Sequence, residues 1–154
     1  MPDANNSGAD RPDIAISDTA ISNTAMPDTA MPDTVFIGND IYRRSRYGRR
    51  HPLAIPRVST VIDLARALHW LTDADYIESP MATPAELARF HDPVYIAAVQ
   101  TAELTQKATP ELIRRHNIGK LENPVYGEIF RRPATAVGAS LLAADLVAAG
   151  RARR

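Results

Sequence analysis

Apolar residues recur along this chain in two rhythms that alternate with position. Val35-Phe36-Ile37 is a continuous apolar run stopped by Gly38-Asn39-Asp40, which predicts a short buried strand. From Val58 to Leu71 the residues Val58, Val61, Ile62, Ala65, Leu68 and Leu71 recur at steps of three and four, the pattern of one buried helix face. Pro56 stands just ahead of that helix, where proline is tolerated. Ala74 to Ile77 reads as a second short strand, stopped by Ser79-Pro80. Thr83-Pro84-Ala85-Glu86 predicts a helix start: a threonine cap, a first-turn proline and a glutamate placed to complete a capping box. Leu87 and Phe90 give that short helix an apolar side. Asp92-Pro93 restarts the pattern, and Val94, Ile96, Ala97 and Val99 carry a helix to about Glu103. Thr109-Pro110-Glu111 caps another brief turn, and Asn117 to Pro124 is loop. A long helix rich in small residues runs from about Glu128 to Ala149, with a kink or a late start expected at Pro133. Gly138, Ala139 and Ser140 would let it approach a neighbouring element closely.

Residues 1–34 follow neither rhythm. A five-residue unit repeats four times, from Ile16-Ser17-Asp18-Thr19-Ala20 through Met31-Pro32-Asp33-Thr34-Val35. A period of five matches neither helix nor strand, and one bulky apolar residue per unit cannot build a continuous face. The expectation is a disordered acidic tail, residues 1–34, followed by a single domain, residues 35–154.

Charge sharpens this division. Lysine plus arginine equals aspartate plus glutamate at 18 each, yet residues 1–42 carry seven acids against the single base Arg11. Six arginines then fall between Arg43 and Arg57 with no acid among them. The chain has no cysteine, which removes disulfides, thiolate nucleophiles and cysteine metal sites. The start of the chain lacks a basic, apolar leader, and no stretch approaches the ~20 apolar residues of a membrane helix. A cytoplasmic location and no membrane partner are the resulting expectations.

The arginine-rich stretch Tyr47-Gly48-Arg49-Arg50-His51-Pro52-Leu53-Ala54-Ile55-Pro56-Arg57 is a loop by its chemistry. Gly48 adopts backbone angles other residues avoid, and Pro52 and Pro56 press the preceding His51 and Ile55 toward extended conformations. It resembles the first long loop of the histone deacetylase superfamily, which includes acetoin-utilisation deacetylases and acetylpolyamine amidohydrolases. The matching residues are Tyr47-Gly48, His51-Pro52, Leu53 and Arg57. A second segment, Thr83 to Ile96 with Glu86-Leu87, Phe90-His91 and Tyr95-Ile96, is similar to a family motif further along. A third, from Asn117-Ile118-Gly119 through Glu122-Asn123-Pro124-Val125-Tyr126 to Ala136-Val137-Gly138-Ala139-Ser140, resembles the loop and helix preceding the family's catalytic half. Together they span about Phe36 to Val147.

The resemblance implies an α/β chain: an incomplete three-layer arginase/deacetylase-type fold with few short strands and mostly helices, preceded by the tail. It implies a parent activity of zinc-dependent hydrolysis of acetyl-lysine or acetylated polyamine. Tyr47, Leu53 and Arg57 would line the inner cavity, where a buried arginine could hold acetate. Arg57 reads equally as an exposed helix-start residue. Glu122 would stand at the substrate rim, one methylene longer than the usual aspartate, or be a solvated loop acid. His51 and Pro52 shape the loop. The family's metal ligands, catalytic histidines and oxyanion-stabilising tyrosine have no counterpart here, so no catalytic residue and no metal in this chain is expected. His51, His69, His91 and His116 stand singly, and a zinc site needs three or four converging ligands. His91-Asp92 also occurs in metal-dependent phosphohydrolases, but Asp92 before Pro93 is better explained as a helix cap.

Other classes follow from the same residues. A non-catalytic interaction module is one, with self-association through an exposed sheet edge. A nucleic-acid grip by Arg43, Arg44, Arg46, Arg49 and Arg50 is another. The zero net charge and the adjacent acidic tail make nucleic acid the unlikely partner.

Overall fold

A computed structural model of the chain describes residues 34–44 and 55–152, with the side chain of residue 44 outside the description. The predicted tail, residues 1–33 of it, and the loop residues Tyr47, His51, Pro52 and Leu53 lie outside the described residues. The order of elements is β1 (Phe36–Gly38), α1 (Ile41–Arg44), α2 (Arg57–Ala67), β2 (Tyr76–Glu78), α3 (Pro84–Leu87), α4 (Pro93–Thr105), α5 (Pro110–His116) and α6 (Arg131–Ala148). The two strands pair in parallel, Phe36 opposite Tyr76, Ile37 opposite Ile77 and Gly38 opposite Glu78. Parallel strands need a crossover, and α2 supplies the return path. The fold class is therefore α/β, largely helical with short parallel strands.

Both strands are where the short apolar stretches and the stop signals after them placed them, shifted by one or two positions. The second begins later than expected because residues Asp73–Asp75 form a 3₁₀ turn. Asp75 closes that turn by accepting from the Thr72 hydroxyl at 2.6 Å and the Thr72 amide at 3.2 Å. Helix α2 also ends early, at Ala67 rather than Leu71. His69 takes a left-handed φ of 57°, and the Trp70 and Leu71 amides both return to the Ala65 carbonyl. The turn is one that glycine or asparagine ordinarily makes.

The buried face expected on α2 is narrower than its periodicity. Ile62 and Leu71 are buried and Ala65 half-buried, but Val58, Val61 and Leu68 are exposed. The two short strands cover only part of the helix. Phe90 likewise does not join Leu87 on an apolar side. It is 89% exposed, because α3 stops at Leu87 and the chain has already turned away.

The capping chemistry is as the sequence read it. Thr83 Oγ1 accepts from the Glu86 amide while Glu86 accepts from the Thr83 amide at 2.6 Å. Asp92 accepts from the Val94 amide at 2.7 Å, and Thr109 from the Leu112 amide at 3.2 Å. Two apolar clusters hold the helices together. One joins Ala82, Leu87, Ile96 and Ala134, and the other joins Val99, Ala102, Leu112 and Ile118. Phe130 packs against both.

Helix α6 starts late, as one of the two outcomes expected from Pro133. Pro133 sits in its first turn, where a missing N–H costs no helical hydrogen bond. Farther along, α6 runs against the exit of β2. The Ser79 hydroxyl donates to the Thr135 carbonyl at 2.8 Å, and the Ala82 amide to the Ala134 carbonyl at 3.0 Å. A Cβ built on Gly138 would lie 2.0 Å from the Pro80 carbonyl oxygen, so the close approach needs glycine.

Candidate functional site

The loop between α5 and α6 is shaped at both ends. Asn117 ends α5 in a left-handed conformation with φ 57°, and Gly119 follows at φ 96°. The Gly119 amide donates to the Asn123 carbonyl at 2.7 Å, and the Asn123 amide to the Lys120 carbonyl at 3.2 Å. This closed turn carries Glu122 outward, exposed to solvent.

The far end of the loop is fixed by an acid twenty-seven residues away in sequence. Phe130 caps α6 but has no capping side chain. Glu103 of α4 does the work instead: Oε2 accepts from the Phe130 amide at 2.7 Å and the Arg131 amide at 3.0 Å. Its Oε1 accepts from Arg131 Nε at 2.6 Å, and the side chain is only 13% exposed. Gln106 adds a hydrogen bond to the Tyr126 carbonyl at 3.3 Å. The loop is thus tied to α4 before it enters α6.

Between the loop and α3, α4 and α6 lies a cavity of about 410 Å³. Its floor is apolar, including Leu87, Ile96, Ile118 and Val137, and its rim carries His91, His116, Glu122 and Asn123. The rings of His91, Tyr95 and His116 run in sequence along one side, with successive centroids 5.9 and 5.6 Å apart, and Phe90 stands edge-on to His91 at 5.0 Å. In the sequence His91 and His116 stand singly. They lie 25 positions apart, a spacing no single element signals, and the α4–α5 turn is what gathers them around Tyr95.

The arginine loop is described only at its ends. On one side Arg43 of α1 makes a bidentate pair with Asp63 of α2, at 2.9 and 2.6 Å. The hydrogen bond to Asp63 raises the Arg43 pKa, and the hydrogen bond to Arg43 lowers that of Asp63. This pair clamps α1 to α2. Arg132 of α6 lies over the Tyr42 ring at 5.6 Å, joining α1 to the helical half. Arg57 opens α2 and is exposed. It is not among the residues lining the cavity beside Glu122. Of the two described residues given a site role from sequence, Glu122 lines that cavity and Arg57 does not. Among the described residues no three histidine, aspartate or glutamate side chains converge, so these residues do not fit a zinc ion.

Comparison with known proteins places this arrangement. Residues 51–154 match the histone deacetylase domain family. The Bacillus subtilis (strain 168) protein named acetoin utilization protein AcuC is 30% identical over 118 residues, covering 77% of this chain and 30% of that one. A crystal structure of a histone deacetylase homolog complexed with SAHA superposes with a TM-score of 0.74 at 33% identity, over 77% of this chain and 32% of that one. A homolog from Aquifex aeolicus gives a TM-score of 0.73, also at 33% identity and over 77% and 32% of the two chains. The chain belongs to the histone deacetylase family and takes the fold of its solved homologs. It spans about a third of the length of the relatives it matches.

Proposed function

We propose that this chain forms one wall of a deacetylase pocket in the family whose intact members would remove acetyl groups from lysine or polyamine with zinc. We further propose that by itself it does not hydrolyse the acetyl amide. The observation that carries the first part is the turn at Gly119–Asn123. It holds Glu122 at the mouth of an aromatic-walled cavity, where an exposed carboxylate can accept amide hydrogen bonds from an arriving substrate. Tyr47, Leu53 and Arg57 belong to the same reading as residues of the inner cavity. The Arg43–Asp63 clamp supports it, since it holds together α1 and α2, the two helices between which Tyr47 and Leu53 fall in sequence.

The second part rests on the described donors, which do not gather into a ligand set. Polarising an acetyl carbonyl and activating water at neutral pH is work that a bound zinc supplies in such enzymes. The test is acetate release from an acetyl-lysine peptide by the purified chain with added zinc. The expected rate is background, and turnover that rises with protein concentration would overturn the proposal.

A non-catalytic interaction role is favoured by a separate observation, the exposed apolar side of α2 at Val58, Val61, Leu64 and Leu68. The nucleic-acid reading is weaker. Arg43, one of its cations, already gives two hydrogen bonds to Asp63.

A further inference from the structure

The cavity of about 410 Å³ beside Glu122 falls in the range of small-molecule sites, roughly 300–1,000 Å³. Its charge is one-sided. No lysine or arginine stands among the described residues that line it, and Glu122 is the one carboxylate that does. The Glu122 side chain makes no ion pair or hydrogen bond with another described residue. An acid without a cation, at the mouth of a cleft with low-dielectric walls, draws positive charge. Aromatic rings add to that pull. Tyr95 is 37% exposed between the rings of His91 and His116, and Tyr126 and Phe130 also line the cavity. The electron-rich face of such a ring attracts an organic cation.

The lining also sets which way round a ligand lies. Its polar groups stand at the rim, while Leu87, Ile96, Ile118 and Val137 make the floor apolar. A charge carried down to that floor would lose its water without gaining a partner. The ligand therefore enters hydrocarbon first and ammonium last. That order excludes a lysine side chain, whose ammonium leads, and a polyamine, which carries further charges along its length. It suits a free monoamine with an apolar body the size of a phenyl ring or a short alkyl chain. The wall is set before any ligand arrives. Glu103 holds the Phe130 and Arg131 amides, and Gln106 Nε2 donates to the Tyr126 carbonyl at 3.3 Å. The Gly119 amide closes the turn that carries Glu122.

We propose that this cavity binds a hydrophobic primary amine, with its ammonium at Glu122 beside the Tyr95 ring and its hydrocarbon on the floor of Leu87, Ile118 and Val137. The inference goes beyond the deacetylase reading and does not rest on it, since it needs only the lining of the cavity. A ligand so placed would occupy the carboxylate which that reading gives to substrate amides.

The probe is phenethylamine, titrated into the full chain by calorimetry at pH 8, because a positive charge on a rim imidazole would oppose it. Two other ligands share parts of it: hydrocinnamate carries the opposite charge, and spermidine lacks the apolar body. Saturable binding of phenethylamine at millimolar concentration is expected, with neither of the others matching it. Glu122→Gln changes an exposed side chain and should keep the parent's far-ultraviolet circular dichroism. It should weaken phenethylamine roughly tenfold, the size of one hydrogen bond to a charged group. Tyr95→Leu should weaken it as well. In amide NMR spectra the Gly119 and Asn123 signals should move with the probe, while the Trp70 indole signal stays in place. Absence of saturable binding would overturn the proposal, as would equal binding of hydrocinnamate or tighter binding of spermidine. So would an affinity that Glu122→Gln leaves unchanged, or shifts confined to residues outside the cavity. None of these results bears on acetate release, so the two proposals fail separately.

Discussion

Individual side chains settle how neighbouring elements of this chain are held together. The Arg43–Asp63 pair is exposed, yet its bidentate geometry makes it the described link between α1 and α2. Its pH dependence follows from the direction of the Asp63 shift. A carboxylate whose folded pKa is lowered adds stability above its ordinary value of 3.8, and loses that contribution as pH falls through the lowered one. Glu86, lowered from 4.5 by its hydrogen bonds to Thr83, acts in the same direction. Asp63→Asn should therefore weaken the chain near neutral pH and make its stability less sensitive to acid below about pH 4, where the parent loses the contribution too. Urea midpoints measured for both chains at pH 7 and pH 3 test this. A difference between them that is as large at pH 3 as at pH 7 would assign the effect to something other than the charge on Asp63. By contrast the Arg66–Asp73 pair, at 3.7 Å with both side chains exposed, belongs to a class contributing only ~0–1 kcal/mol.

At the scale of elements, the decisive contact is α6 against the exit of β2. Replacing Gly138 by alanine would raise helix propensity by about 1 kcal/mol. It would also drive a methyl group to within 2.0 Å of the Pro80 carbonyl oxygen, on backbone that the Ser79–Thr135 and Ala82–Ala134 hydrogen bonds hold in place. Overpacking of that kind costs about 1–3 kcal/mol, so the clash outweighs the propensity. Gly138→Ala is expected to lower the urea midpoint, and an unchanged or higher midpoint would show that α6 can slide. The sequence announced this contact through its run of Gly138, Ala139 and Ser140, just as it announced the caps at Thr83, Asp92 and Thr109. Those signals are local: the donor, acceptor or missing side chain lies within a few residues of its effect. Three features were not local. Glu103 caps a helix that begins twenty-eight residues later, His91 and His116 both reach Tyr95 only because α4 and α5 turn on each other, and the turn after α2 is made at His69 in a conformation that glycine usually marks. Periodicity also over-read α2, because it counts apolar positions without knowing how much sheet is present to cover them.

For the molecule as a whole, the chain has the fold of its solved histone deacetylase homologs over about a third of their length, and its sheet is small. The described sheet has two strands of three residues, so each strand keeps one unpaired edge among the described residues. Open edges beside apolar side chains are templates for pairing with another chain. Self-association through the edges should appear in light scattering as a mass that rises with concentration, while Trp70 emission stays constant over the same range. A concentration-independent monomer would mean that the edges are already protected, and the interaction reading would then have to rest on the exposed apolar side of α2 at Val58, Val61, Leu64 and Leu68.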